Sequence, residues 1–204
     1  MIAANSRQAD PRAIAQPERF NAPLFQSLLE RLDSGKRCVV LDLGTAHTQT
    51  VALFGRYPCR LDIADVVDGL DGLNAEVDPQ GRLYRAEALL PVTHAEPADA
   101  VLCWDILNYL DRPAMKALMS RVAARSKPGT MVHTLIVYSD THMPATAGHF
   151  VPQEDNSLLD VAIRHDERPA PRYAPTDLTD CLPGFRMERA MLLSNGMQEI
   201  LFRI

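Results

Sequence analysis

The feature that most restricts the fold is a set of short, continuous apolar runs. Cys38-Val39-Val40-Leu41 and Ala100-Val101-Leu102-Cys103-Trp104 are each too short for a helix, and residues 131–138, mostly apolar around His133 and Thr134, read as a further strand. None alternates apolar with polar side chains. A strand that is apolar on both faces is buried on both faces, as in a parallel sheet covered by helices. Helical signals lie between these runs. Residues 112–124 place Met115, Leu118, Met119 and Val122 on one face, with Asp111 at the capping position and Pro113 in the first turn. An earlier helix starts near Asn21 with Pro23 in its first turn. Leu24, Phe25, Leu28, Leu29 and Leu32 form its apolar face, and Ser34-Gly35 ends it. Residues 48–55 read as a helix and Arg60-Leu61-Asp62-Ile63 as a strand. Such alternation implies a parallel sheet with helices on both faces. The last two strands, 185–193 and 197–204, flank Asn195-Gly196, a strong hairpin signal, so one strand runs against the rest.

Two stretches are less regular. Gly69, Gly72, Pro79 and Gly81 interrupt residues 64–98, where a short strand is expected near 82–85. Residues 139–174 carry Pro144, Pro152, Pro169 and Pro171, with one apolar stretch at 158–163. That segment is too long for a plain connector and reads as an insertion or lid. A length of 204 residues suits one core. The expected organisation is a flexible arm over residues 1–20 and one domain over 21–204.

The formal net charge of −5 argues against nucleic acid and against an anionic membrane surface as partners. No apolar run is long enough to span a bilayer, and the N-terminal segment lacks the apolar core of a secretory signal. Cys38, Cys59, Cys103 and Cys181 are widely spaced, without a C-x-x-C pair, and read as free thiols. The expected location is the cytoplasm.

The element order and three motifs resemble the class I S-adenosylmethionine (SAM) dependent methyltransferases. Val40-Leu41-Asp42-Leu43-Gly44-Thr45-Ala46-His47-Thr48 is similar to that family's first strand and glycine-rich loop. Leu61-Asp62-Ile63-Ala64 resembles the acidic end of its second strand. Residues 99–110 resemble its fourth strand and the start of the next helix, and Lys127-Pro128-Gly129-Thr130 its turn before strand five. The resemblance implies a Rossmann-like α/β fold: a seven-stranded, mostly parallel sheet with helices on both faces and a C-terminal antiparallel hairpin. It also implies SAM as cofactor and methyl transfer to a small molecule or a protein, with residues 139–174 and the first helix on the acceptor side.

The cofactor residues it implies are Asp42, Gly44, Ala46, Asp62, Ile63, Glu87, Trp104 and Asp105. Asp42 would face the methionine end, Asp62 (Asp65 second) the ribose, Glu87 the adenine, and Trp104 and Asp105 the donor methyl. Each has a plainer reading. Asp42 also suits a turn cap, Asp62 and Glu87 solvated positions, Trp104 the core, and Asp105 a helix cap. No catalytic residue stands out. His47 either faces the cofactor or closes its pocket, His133 reads as a structural histidine, and Tyr138 and Tyr173 are candidates for an acceptor pocket. His142 and His149 match no metal-ligand spacing.

Only the first glycine of the family's triplet is present, since Ala46 and Thr48 replace the others. A non-catalytic, methyltransferase-like binding or regulatory protein is therefore the alternative. A nicotinamide-dependent oxidoreductase ranks below both, because the loop is not G-x-G-x-x-G.

Overall fold

The computed structural model of the protein describes residues 17–92, 96–162 and 166–204. Residues 1–16 of the expected arm and Ile163 of the apolar stretch lie outside them. The N-terminal half holds β1 (Glu18–Phe20), α1 (Pro23–Leu32), β2 (Cys38–Asp42), α2 (Thr48–Phe54), β3 (Cys59–Ile63), α3 (Leu70–Ala75) and α4 (Pro79–Leu89). Next come β4 (Ala98–Trp104), a single turn at Ile106–Tyr109, α5 (Arg112–Ala124) and β5 (Ser126–Val137). Four short strands follow: β6 (His142–Pro144), β7 (Phe150–Pro152), β8 (Leu158–Asp160) and β9 (Glu167–Pro169). Then α6 (Pro175–Cys181), β10 (Arg186–Leu192) and β11 (Met197–Arg203) complete the chain.

The central sheet runs β10-β11-β5-β4-β2-β3. β3, β2, β4 and β5 are parallel, β11 is antiparallel to β5, and β10 pairs antiparallel with β11. This is the expected α/β sheet with its terminal hairpin. The alternating faces of the strands make two cores. Leu41, Val101, Val132, Ile136 and Ile200 pack with α3, α4, α5 and α6. Val40, Ala100, Leu102, Leu135 and Leu201 pack with α1 and α2.

The sheet has six strands among the described residues, and the strand expected near 82–85 is part of α4. Asp78 caps that helix, accepting from Gly81 N at 2.7 Å, and Pro79 opens it. A proline there costs nothing, because its missing N–H would have had no helical partner. Pro79 and Gly81 are thus a helix start, not breaks, and β3 is left as the outer strand. The C-terminal hairpin turns through a bond from Gly196 N to Leu193 O. Gly196 has φ +79 and Asn195 does not share it, so the turn needs one left-handed residue and not two.

α1 lacks a local side-chain cap. Its free N–H groups at Leu24 and Phe25 donate instead to the carboxylate of Glu199, at 2.9 and 2.7 Å. His133 Nε2 meets the same carboxylate at 2.8 Å, and both side chains are fully buried. A negative charge at a helix N-terminus answers both the unpaired N–H groups and the helix dipole. It joins α1 to β5 and β11. His133 is structural, as expected.

The described residues of 139–174 contribute four strands to two small sheets. β1 pairs with β8 and β8 with β7, all antiparallel, while β6 pairs with β9. Glu18–Phe20, expected in the flexible arm, is therefore a strand. Phe20, Phe150 and Leu158 are buried in the core shared with α1. No helix among the described residues is long and apolar enough to cross a membrane. All four cysteines are free thiols.

Candidate functional site

Asp42 ends β2 and is fully buried. Its Oδ1 accepts from Gly44 N at 2.9 Å and from the Trp104 indole Nε1 at 2.6 Å. Its Oδ2 has no hydrogen-bond partner. Burial pushes its pKa up to about 6, against the pull of the Trp104 and Gly44 bonds. Trp104 ends β4 at φ +47, a conformation that costs a bulky residue on the order of 1–2 kcal/mol. Its backbone oxygen accepts from Thr134 Oγ1 at 2.8 Å, and its ring packs on Phe25 with centroids 5.7 Å apart. That conformation carries the indole across to the glycine loop. A Cβ on Gly44 would stand 2.6 Å from Trp104 Cδ1 and 2.9 Å from Nε1. The bare face of Gly44 is therefore used by Trp104.

The segment between β6 and β7 closes on the same loop. Gly148 has φ +84, and a Cβ there would lie 3.1 Å from Thr45 Oγ1 and 3.3 Å from Val67 Cγ2. Only glycine combines that backbone with that approach. Its oxygen accepts from His47 Nε2 at 3.0 Å, and its N–H donates to Asp105 Oδ1 at 3.1 Å. Of the two roles expected for His47, this geometry matches closure. Asp105 is 1% exposed and does not cap the turn that follows it through its side chain.

On the other side of Asp105 is a cavity of about 300 Å³ at the carboxyl ends of β4 and β5. Asp105, Asn108, Tyr109, His149 and Asp160 line its inner part, and Glu18, Asp140 and His142 stand at its exposed mouth. Asn108 is fully engaged: it donates to Asp105 O and Leu135 O and accepts from Val137 N. The Tyr109 hydroxyl reaches Pro144 O and Thr146 O, and burial raises its pKa strongly. Asp105 Oδ2 and His149 Nδ1 lie 3.2 Å apart, yet neither makes a hydrogen bond. Their distance is that of an ion pair and their angles are not those of a bond. Among the described residues no three His, Cys, Asp or Glu side chains are arranged to hold a metal ion.

The other candidates do not gather here. Asp62 accepts from Arg60 Nε at 2.7 Å and from Arg125 Nη2 at 3.4 Å. With Ile63 it lines a separate groove along β3. Glu87 lies on α4 and pairs with Arg121 at 3.2 Å, its side chain 60% exposed. Ala46 is exposed, and neither Ala46 nor Thr48 has positive φ, so their β-carbons cost the backbone nothing. Asp65, the second choice for the ribose, accepts from Thr45 Oγ1 at 3.3 Å and so sits at the loop. Tyr138 is exposed, and the Tyr173 hydroxyl donates to Leu110 O. Asn108 and Tyr109 were not singled out in the sequence. Their signal was only that they lie within one turn after Asp105 at the end of a strand.

No protein-family model and no curated protein sequence matches the chain. Solved structures do. One is a 1,6-didemethyltoxoflavin N1-methyltransferase of Burkholderia thailandensis, with bound 1,6-didemethyltoxoflavin and S-adenosylhomocysteine. It is 17% identical with a TM-score of 0.50, over 89% of this chain and 76% of that one. The N-methyltransferase NodS of Bradyrhizobium japonicum is 16% identical with a TM-score of 0.47, over 89% and 85% of the two chains. The glycopeptide N-methyltransferase MtfA is 13% identical with a TM-score of 0.49, over 89% and 88%. At such identities a likeness shows the fold, which does not by itself decide function. The chain has the Rossmann-like fold of the SAM-dependent methyltransferases, with its own Trp104 and Gly148 packed against the glycine loop.

Proposed function

We propose that this chain is a methyltransferase-fold binding protein that does not take SAM, and that its ligand site is the cavity beside Asp105. The observation that supports this is the contact between Trp104 and Gly44. In a Rossmann-like sheet the glycines let a ligand come close to the backbone. Here a Cβ on Gly44 would stand 2.6 Å from the indole, so a donor has no bare backbone to approach. Gly148 covers Thr45 in the same way. Asp42 spends Oδ1 on Trp104 and Gly44, and Asp62 is engaged by two arginines. These residues do not fit the donor.

Methyl transfer to a small molecule or protein is the rival. One observation favours it: Asp42, Gly44 and Asp65 stand together after the first two parallel strands, where such a sheet holds its ligands.

Isothermal titration with SAM and with S-adenosylhomocysteine separates the two. The expected result is no binding at millimolar ligand, in the native chain and in an Ala46→Gly, Thr48→Gly variant alike, because Trp104 and not the loop's β-carbons fills the crevice. Micromolar binding by the folded native chain would overturn the proposal. Binding gained only by the variant would place the obstruction in the loop.

A further inference from the structure

We infer that the open edge of β3 joins two copies of this chain, strand against antiparallel strand about a two-fold axis at Leu61. The central sheet ends at β3, which pairs only with β2 among the described residues. Its ladder alternates. Pro58 O accepts from Cys38 N at 3.2 Å and Ala64 N donates to Asp42 O at 2.8 Å, so the even-numbered residues of this stretch turn their main chain to β2. Cys59, Leu61 and Ile63 therefore turn theirs outward. Cys59 N is taken by Tyr57 O at 2.7 Å, whereas Cys59 O and both main-chain groups of Leu61 and of Ile63 have no partner among the described residues. A groove of about 510 Å³ runs along this edge, between β3 and Leu89, Leu90 and Pro91 at the end of α4, and leaves the strand within reach. β10, at the other end of the sheet, carries a bulge between Met187 and Arg189, a device that spoils an edge for pairing. β3 has neither bulge nor proline.

Charge picks the occupant and the register. Outward groups must meet outward groups, so odd-numbered residues of β3 face odd-numbered residues of the second β3. Centred on Leu61, the pairing exchanges both main-chain bonds between the two Leu61 residues and joins each Ile63 N–H to Cys59 O of the other copy. It sets Arg60 directly opposite Asp62 of the second copy, and Asp62 opposite Arg60. These are the narrow pairs of an antiparallel ladder, with Cα atoms about 4.5 Å apart and side chains closest. Arg60 already bonds Asp62 of its own strand at 2.7 Å, and its side chain is 53% exposed. The pairing closes two such bridges into a ring of alternating sign, and no charge in it needs to be free beforehand. Sliding one step either way puts Arg60 opposite Arg60 or Asp62 opposite Asp62, which destabilises a sheet pair. One register alone is self-complementary, as a two-fold interface requires. A second copy brings that pattern by construction.

The test is analytical ultracentrifugation of the intact protein from micromolar to near-millimolar concentration. A reversible monomer–dimer equilibrium is expected. Arg60→Glu, at an exposed position, puts a carboxylate opposite Asp62 on both sides of the axis and should weaken dimerisation roughly tenfold or more. Asp62→Lys puts cations opposite each other and should do the same. Mixing the two variants should restore a dimer, because every facing pair is then of opposite sign. In the native chain the amides of Leu61 and Ile63 should exchange more slowly with deuterium as the dimer forms. A protein that stays monomeric throughout overturns the inference. So does a dimer that Arg60→Glu leaves unchanged, which would place the contact on another surface, or a pair of folded variants that fail to complement each other. Should Asp62→Lys not fold, the native amides decide. No slowing at Leu61 and Ile63 in the dimer overturns the inference as well.

Discussion

Asp42→Asn tests the closed crevice through stability, without any ligand. The Asp42 carboxyl is fully buried, and its pKa rises from an ordinary 3.8 to about 6. A shift of roughly two units at about 1.4 kcal/mol each is roughly 3 kcal/mol. Its sign follows from proton counts. Below pH 4 the group is protonated in both the folded and the unfolded chain and costs nothing. Between about 4 and 6 the unfolded chain has released the proton and the folded chain still holds it, so stability falls as pH rises. Above that window the whole cost of a buried charge is present. Asparagine keeps an oxygen for Gly44 N and Trp104 Nε1 and carries no charge. Urea denaturation from pH 4 to 8 should therefore show the variant gaining on the native chain by up to about 3 kcal/mol, with the change confined to this window. Glu76, Glu96, Asp155 and Glu188 are held below their ordinary range by Arg85, Arg37, Ser157 and Arg203 respectively. They give both proteins a slope of the opposite sign, which cancels in the difference. Parallel pH curves, or a variant clearly less stable at pH 7, would refute the account. The site would then hold the Asp42 charge favourably, as a donor-binding loop must.

Two further substitutions probe the frame around the site. Glu199→Ala leaves the N–H groups of Leu24 and Phe25 and the ring of His133 buried without their acceptor. It should cost about 3–5 kcal/mol and lower Tm by on the order of 10 °C, read by thermal denaturation. A loss under about 1 kcal/mol would mean that α1 does not depend on this cap. Asp62→Ala removes one partner of the nearly buried Arg125, which keeps Pro91 O. Denaturation should show a loss of about 1–2 kcal/mol. An unchanged stability would mean that Arg125 does not depend on Asp62.

The parts of the fold that depend on neighbours in the chain are legible in the amino-acid order. β2, β4 and β5 were legible because a run that is apolar on both faces has one stable environment. α5 was legible because Asp111, Pro113 and the stripe from Met115 to Val122 lie within one helix. α4 was missed because glycine and proline were weighed as breaks, when Asp78 and Pro79 make a helix start. Asp42, Gly44, Trp104 and Asp105 were legible as a cluster, since strand ends in a parallel sheet meet at one edge. What they do there was decided only by the tertiary structure. Trp104 meets Asp42 across 62 residues, Gly148 meets Asp105 across 43, and Glu199 reaches the start of α1 across 175. Periodicity and capping act over a few residues, so they place each strand end. Which side chain then crosses to fill, cap or neutralise another is set by how the sheet and its lid close, and that geometry is the sum of all the packing at once.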